Sequence, residues 1–367
     1  MRFDQASVSY LAERAYVVKV RSAFGEDGSA ALTRLLDAVK LLYAQIAPEG
    51  IRTSLTVMCR IDQEGQGTAK FDSIDAGFDL VQIAERLSIT SSHVLVTVES
   101  GGRYGFAESR EAPDLKAIAD GAVVYHFSDC DDRILAGTHD EVVRKVSPVQ
   151  CSMFAKPTLS GLEDALRRYA STARETRCRI LDKVWIGGGD GPRLVLANKP
   201  ESIMRDSLEQ ALSTMLEGDA NVRPEQNTDE RKPVDLRIDW YGSRASALVE
   251  IKWLGRSLAK SRTESDEATY TEYTDARARE GATQLADYLD REKRRSSDTM
   301  TKGYLVVFDA RRRNVGGPDE ALVEEDAMFY AERDIVYEPR LDIERDDFAK
   351  PERYFMRPRQ SNFRIAA

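Results

Sequence analysis

Two short runs in the second half of the chain put charged side chains where apolar ones are expected. Pro233-Val234-Asp235-Leu236-Arg237-Ile238 reads as a strand with a carboxylate among apolar neighbours. Ala245–Lys252 (ASALVEIK) reads as a second strand, ending in Glu250-Ile251-Lys252. Strand side chains alternate faces, so Glu250 and Lys252 point to one side and Ile251 to the other. With a turn around Gly242–Arg244, the two strands form a hairpin on which Asp235, Glu250 and Lys252 can converge. Charges inside apolar strands cost free energy unless they pair or bind a cation. Hard oxygen ligands on adjacent strands suit Mg²⁺ or Mn²⁺. Such an ion lowers the pKa of a bound water and neutralises charge developing on a phosphodiester oxygen. A neighbouring ammonium, Lys252, can orient the attacking water and stabilise the pentacovalent phosphorus.

The flanking elements must position these groups. Pro200 sits where a helix N1 proline would sit, and Ile203, Met204, Ala211, Leu212, Met215 and Leu216 follow at helical spacing, with Gly218 ending the helix. The polar stretch Gly218–Lys232 reads as a loop before the Asp235 strand. After the hairpin come a charged loop, Lys260–Thr274, then a helix over Ala276–Asp290, then the apolar strand Lys302–Asp309 (KGYLVVFD).

In this order the residues resemble the PD-(D/E)xK nuclease superfamily. The resemblance rests on Pro233-x-Asp235, on Glu250-x-Lys252, and on Gln284-x-x-x-Tyr288 within GATQLADYLD, which is similar to the QxxxY element of one large branch of that superfamily. It covers about residues 198–310 and implies a restriction-endonuclease-like αβββαβ core, with Leu194–Asn198 the available place for a third strand. It implies Asp235 and Glu250 as metal ligands, Lys252 as the catalytic lysine, and Gln284 beside the metal-bound water or a phosphate. Tyr288 would pack beside Gln284 or touch substrate. The family often adds an acid from the first helix. Glu201, on the helix face of Leu208, Leu212 and Met215, is the choice, and Glu209 the alternative. Lys260 and Arg262 in the charged loop could reach nucleic acid. The expected cofactor is Mg²⁺ or Mn²⁺, and the expected activity is endonucleolytic cleavage of DNA. An RNA-directed nuclease would share the same chemistry. A non-catalytic nucleic-acid-binding or scaffold protein on the same core is the alternative. The size and build fit a prokaryotic restriction or anti-phage effector, and cutting both strands implies a homodimer.

The first half carries poorer motifs. Tyr16–Val20, Arg52–Arg60, His93–Glu99 and Ala122–Phe127 read as strands. Ala30–Ile46 and Phe78–Leu87 read as helices. Alternating helices and buried strands give a mixed α/β (α+β) domain, with a boundary near Ser147–Pro157. The expected organisation is residues 1–155 as a sensing, specificity or dimerisation domain and 156–367 as the nuclease domain with a C-terminal extension. The first domain would receive a small-molecule or protein activator. Beyond the boundary, Leu159–Thr176 is helical, and Val184–Gly187 with Arg193–Ala197 reads as a hairpin across a glycine-rich turn. Phe329–Tyr337 is expected to contain a strand. Neither Gly101-Gly102-Arg103-Tyr104-Gly105 nor the triple glycine is followed by the Lys-Ser/Thr of a phosphate loop. His126, Cys130, Asp131, Asp132 and His139 fit no closed zinc spacing.

Composition sets the remaining limits. The 367 residues carry 53 basic and 62 acidic side chains, a net charge of −9, which disfavours nucleic-acid binding by bulk charge and leaves room for local basic patches. Arginines cluster at 167–179 and in Arg311-Arg312-Arg313, where phosphate contact is one reading and a solvated face the other. The four cysteines, Cys59, Cys130, Cys151 and Cys178, are too few for a disulfide framework and are expected as reduced thiols in a cytoplasmic protein. No apolar run is long enough to span a membrane, and the N-terminus lacks the apolar segment of a secretory signal.

Overall fold

The computed structural model describes residues 15–61, 74–99, 103–145, 150–216, 220–226, 234–241, 243–259, 268–295 and 300–364. The chain is an α/β protein. It divides into two compact units, Met1–Gly161 with Gly242–Ala245, and Leu162–Tyr241 with Ser246–Ala367. No helix among the described residues is long and apolar enough to cross a membrane.

The first unit is built on a seven-stranded sheet. In chain order its strands are β1 (Ser54–Arg60), β2 (Asp75–Phe78), β3 (His93–Val98), β4 (Tyr104–Ser109), β5 (Ala122–Ser128), β6 (Asp131–Ala136) and β7 (His139–Val142). They lie in the order β2-β4-β3-β1-β5-β6-β7, and β1 pairs parallel with β3 and antiparallel with β5. Strand alternation sorts the core. Leu55, Val57, Tyr125 and Phe127 face helices α1 (Ala15–Tyr43) and α2 (Leu80–Ile89). Met58, Val124 and Leu95 pack with Ile118 and Ala119 of the short helix α3 (Leu115–Ala119).

Two expectations for this unit are corrected. Tyr16–Val20 is helix, not strand. Tyr16, Val20, Ala23 and Phe24 all pack on the core, which is helical spacing, and the five-residue run alone could not separate the two periods. The helix breaks at Gly25 (φ 64°), a conformation open to glycine. The cysteines are not all thiols either: Cys130 and Cys151 form a disulfide, while Cys59 and Cys178 are free. The bond joins residues far apart in sequence, so spacing alone did not reveal it.

A buried polar chain runs beside this disulfide. The hydroxyls of Tyr43 and Tyr125 are 2.6 Å apart. Tyr125 donates to Asp132 Oδ1 at 2.6 Å, Ser152 to the same oxygen at 2.8 Å, and the Met153 N–H to Oδ2 at 2.6 Å. Asp132 is fully buried, and burial raises its pKa despite these donors. His126 is buried, its Nδ1 3.0 Å from the Thr56 hydroxyl.

The second unit takes in helix α4 (Leu159–Glu175) from Leu162 onward, with Leu162, Leu166 and Tyr169 buried, and α5 (Pro200–Met215). Its sheet runs β13 (Glu352–Phe355), β12 (Met300–Asp309), β10 (Ala245–Leu258), β9 (Val234–Trp240), β8 (Ala220–Gln226), and β11 (Tyr270–Tyr273) pairs with the far end of β10. Helix α6 (Asp275–Arg295) buries Ala278, Ala282, Leu285 and Leu289 against Leu248, Leu254, Leu305 and Val307. On α4, the Tyr169 ring meets Phe308 and Tyr354 edge to face, and its hydroxyl lies 2.8 Å from Ser207 of α5.

Here too the pattern misled in places. The third strand beside β9 is β8, from the stretch read as a polar loop. Its sequence, ANVRPEQ, has no repeated apolar face, and it is held by the β9 ladder. Leu194–Asn198 contributes only isolated bridges, Trp185 to Leu196 and Leu196 to Ser257, so the expected hairpin is not a regular one and Leu181–Val184 is a 3₁₀ turn. Phe329–Tyr337 holds no strand; short helices α7 (Glu324–Ala327) and α8 (Leu341–Glu344) flank it, and the late strand is β13.

His126 gives a pH test of the first unit. Burial is the main cause that lowers its pKa from 6.5 to about 4. Between those values the unfolded chain holds the extra proton, so stability must fall as pH drops from 6.5 towards 4. Chemical denaturation should show His126→Gln losing up to about 3 kcal/mol less than wild type over that window.

Candidate active site

Asp235 and Glu250 face each other at the end of the β9–β10 ladder. The antiparallel register runs from Ser246↔Asp239 to Val249↔Leu236. One step further the ladder gives way to a side chain: the Ile251 N–H donates to Asp235 Oδ2 at 2.7 Å. The acid therefore replaces a backbone partner, and this fixes its carboxylate against β10. On β10 alternation sends Leu248, Glu250, Lys252 and Leu254 to the α6 side of the sheet. Leu248 and Leu254 enter the apolar core there. Between them Lys252 Nζ donates to Glu250 Oε1. The other Glu250 oxygen, Oε2, is buried without a hydrogen-bond partner.

All three groups are sequestered: Asp235 is 8% exposed, Glu250 1% and Lys252 2%. Burial is the main cause that raises Asp235 to about 6, with the Glu201 charge adding to it and the Ile251 N–H opposing it. Glu250 is pushed up to about 8, first by burial and then by the Asp235 charge, while Lys252 pulls the other way. Two carboxyls that resist ionisation side by side, one with an orphaned oxygen, form an electrostatic deficit that a cation would fill.

Helix α6 closes the pair from above. A Cβ at Gly281 would lie 2.5 Å from Lys252 Cγ and 3.1 Å from its Cε. The lysine stem thus occupies the space a side chain there would need. One turn on, Gln284 Nε2 donates to the Tyr288 hydroxyl at 2.6 Å, so the QxxxY residues are bonded to each other. Tyr288 is buried, its pKa raised first by burial, with Glu250 and Asp235 contributing. It therefore lies within electrostatic reach of the acid pair.

Asp235 also lines an open cavity of about 400 Å³, together with Glu201, Arg205, Trp253, Tyr273 and Arg277. Glu201 stands in the first turn of α5, after Lys199 and Pro200, and lies 3.6 Å from Arg277. Glu209, further along that helix, has Asp206 and Arg205 as its charged neighbours. Of the two acids weighed from sequence, Glu201 is the one the fold brings to Asp235. The indole of Trp253 packs on Tyr273 at 4.6 Å between centroids, and Arg277 lies over Tyr273 at 5.0 Å. Lys260 and Arg262 lie outside the described residues.

Glu250 and Lys252 do not line this cavity. Among the described residues no three His, Cys, Asp or Glu side chains gather closely enough to hold a metal; Glu201 is paired with Arg277. The donors that fit a hard cation are Asp235 and the unpartnered oxygen of Glu250. A site of one or two carboxylates completed by water and phosphate oxygens is ordinary for Mg²⁺.

Sequence reasoning missed Gly281, Trp253, Tyr273 and Arg277. A glycine inside a strongly helical stretch was the available signal for Gly281, because it costs helix propensity unless something packs there. No family model matches the chain, and neither a curated protein nor a solved structure matches it.

Gly281→Ala separates the two roles of that position. In an open helix the change would stabilise by up to about 1 kcal/mol. Over Lys252 it should instead destabilise by about 1–3 kcal/mol, as read from urea midpoints at constant m.

Proposed function

We propose that the second unit is a divalent-metal-dependent nuclease of the PD-(D/E)xK type, acting on DNA, with Asp235 and Glu250 as metal-holding acids and Lys252 as the catalytic lysine. The observation that carries this reading is the buried Asp235–Glu250–Lys252 group at the ladder end, with both acids pushed up in pKa and Glu250 Oε2 unpartnered. An ordinary structural ion pair would not need the second acid. When bound, Mg²⁺ or Mn²⁺ would supply acidified water and neutralise phosphate charge. The chain's own residues do the rest. The Ile251 N–H holds Asp235 in one orientation, and Glu250 holds the Lys252 ammonium. The stem of Lys252 is confined by α6 at Gly281, which suits an ammonium that must stabilise charge without reorganising. Arg277, Arg205 and the Trp253–Tyr273 pair offer the cavity cationic and aromatic surfaces for a nucleic-acid strand.

The first unit would then serve as the receiver of an activating small molecule or protein, and a homodimer would supply two active sites for double-strand cutting. A second reading has its own support. Glu250 and Lys252 are buried and do not line the cavity, which favours a core that binds nucleic acid without cutting it.

Cleavage separates the two readings. Plasmid and single-stranded DNA and RNA are incubated with wild type and with Lys252→Met, in Mg²⁺, Mn²⁺ or EDTA, with folding checked by circular dichroism. The expected result is metal-dependent cutting that falls by about 10²–10³-fold in the variant. Calorimetry with Mn²⁺ should show binding that Asp235→Asn and Glu250→Gln each abolish. Failure of wild type both to cut and to bind Mn²⁺ would sink the nuclease reading and leave the non-catalytic one.

A further inference from the structure

The arginine triplet 311–313 resolves into three different environments. Arg311 is paired with Asp309 at 2.7 Å and with Asp275. Arg313 is paired with Glu325 at 2.7 Å and with Asp326. Arg312, between them, is 8% exposed, and no carboxylate among the described residues lies within ion-pair distance of it. Its guanidinium donates to three carbonyls, those of Arg311 (2.7 Å), Arg193 (3.3 Å) and Met356. It lies 5.1 Å from the Phe355 ring and 5.8 Å from that of Trp185. Its Nε–H is buried with no partner. Burial lowers its pKa to about 9, as expected of a cation withdrawn from water without a counter-charge.

This arginine borders a cavity of about 150 Å³, lined also by Leu194, Gly255, Arg256, Glu272, Asn314 and Val315. Arg256 brings a second guanidinium. It donates to the Val315 carbonyl and lies 4.4 Å from the Tyr270 ring, again with no acid in ion-pair distance among the described residues. The one acid of the wall, Glu272, is exposed and pairs with neither. Carbonyl oxygens and ring faces hold the two guanidiniums in place; Glu272, opposite Arg256 in the β10–β11 register, is the one negative charge in the wall against their two positive ones. The volume is well below the roughly 300–1,000 Å³ that encloses a drug-sized ligand, so one small group is what fits.

We propose that Arg312 and Arg256 form a binding pocket for a single phosphate group, separate from the Asp235 cavity. A guanidinium fork matches a tetrahedral oxyanion in geometry as well as charge: Arg256 directs Nη1 to the Val315 carbonyl and keeps its other edge for such a fork, while Arg312, whose Nη2 is committed to two carbonyls, contributes positive charge and its remaining Nη1 hydrogen. The phosphate could be the terminal group of a nucleic-acid strand or that of a free mononucleotide. The pocket does not depend on whether the protein cuts nucleic acid.

Calorimetry tests this on the full chain in EDTA at low ionic strength. Inorganic phosphate is the first probe, with chloride at matched ionic strength as control. Saturable phosphate binding is expected in wild type. It should weaken about tenfold or more in Arg256→Gln, the loss of one charge-assisted contact, and persist in Asp235→Asn. Arg312→Gln should abolish it; should that variant fail to fold, Arg256→Gln, at a half-buried position, carries the test. Absence of binding by folded wild type overturns the proposal. So does binding that Arg256→Gln leaves unchanged, or that Asp235→Asn removes. Oligonucleotides with and without a 5′-phosphate, set against a mononucleotide, then identify the source: preference for the phosphorylated strand marks a nucleic-acid end, and equal or tighter binding of the mononucleotide marks a metabolite.

Discussion

The second unit depends on the burial of two carboxyl groups at one end of a two-strand ladder. Asp235 and Glu250 would each be cheaper as an apolar residue. Their presence shapes what surrounds them. The Ile251 N–H, freed where the β9–β10 ladder stops, is satisfied by Asp235. Lys252 is drawn inward to Glu250, and α6 must offer a glycine where that lysine lies. The Gln284–Tyr288 bond satisfies two further polar groups on the same helix. Remove the acids and none of these placements has a cause. On the proposed reading, the remaining deficit at Glu250 Oε2 is where a metal enters.

The long strand β10 gives this arrangement its reach. Its first half pairs with β9 and carries Glu250 and Lys252; its far end leaves that ladder and pairs with β11. Gly255, at φ 119°, marks the change of partner, and a Cβ there would lie 2.8 Å from the Ala310 carbonyl. Beyond it, neighbouring residues serve different surfaces. Trp253 and Ser257 line the cavity of Asp235, while Gly255 and Arg256 line that of Arg312. One ribbon thus borders both cavities.

The first unit solves a similar problem differently. Its buried acid, Asp132, receives three donors from Tyr125, Ser152 and Met153. The segment that supplies two of them begins at Cys151, tied to Cys130. Every Asp132 oxygen has a partner, which is what a structural polar network requires. Glu250 differs in having one carboxylate oxygen, Oε2, buried without a partner.

Much of this was legible in the residues themselves. Strong periodicity marked β1, β3, β5, β12, α4 and α5, because a repeated apolar face has one interpretation. A carboxylate inside an apolar strand marked Asp235 and Glu250, because its cost demands a purpose. The α/β class followed from the alternation of such segments. What the sequence could not carry were features set by partners distant in the chain. β8 is polar and exists because β9 offers a ladder. The Tyr16–Val20 run is helical because its register meets a core made elsewhere. The Cys130–Cys151 bond is a matter of spatial proximity. Glu201 and Glu209 are alike in sequence and separated only by which one α5 carries to Asp235. The three consecutive arginines are identical as residue types; tertiary structure alone gives acids to Arg311 and Arg313 and withholds them from Arg312. The sequence by itself determined which groups are chemically costly. The tertiary structure decided which of those costs are compensated, because compensation depends on distance in space and not along the chain.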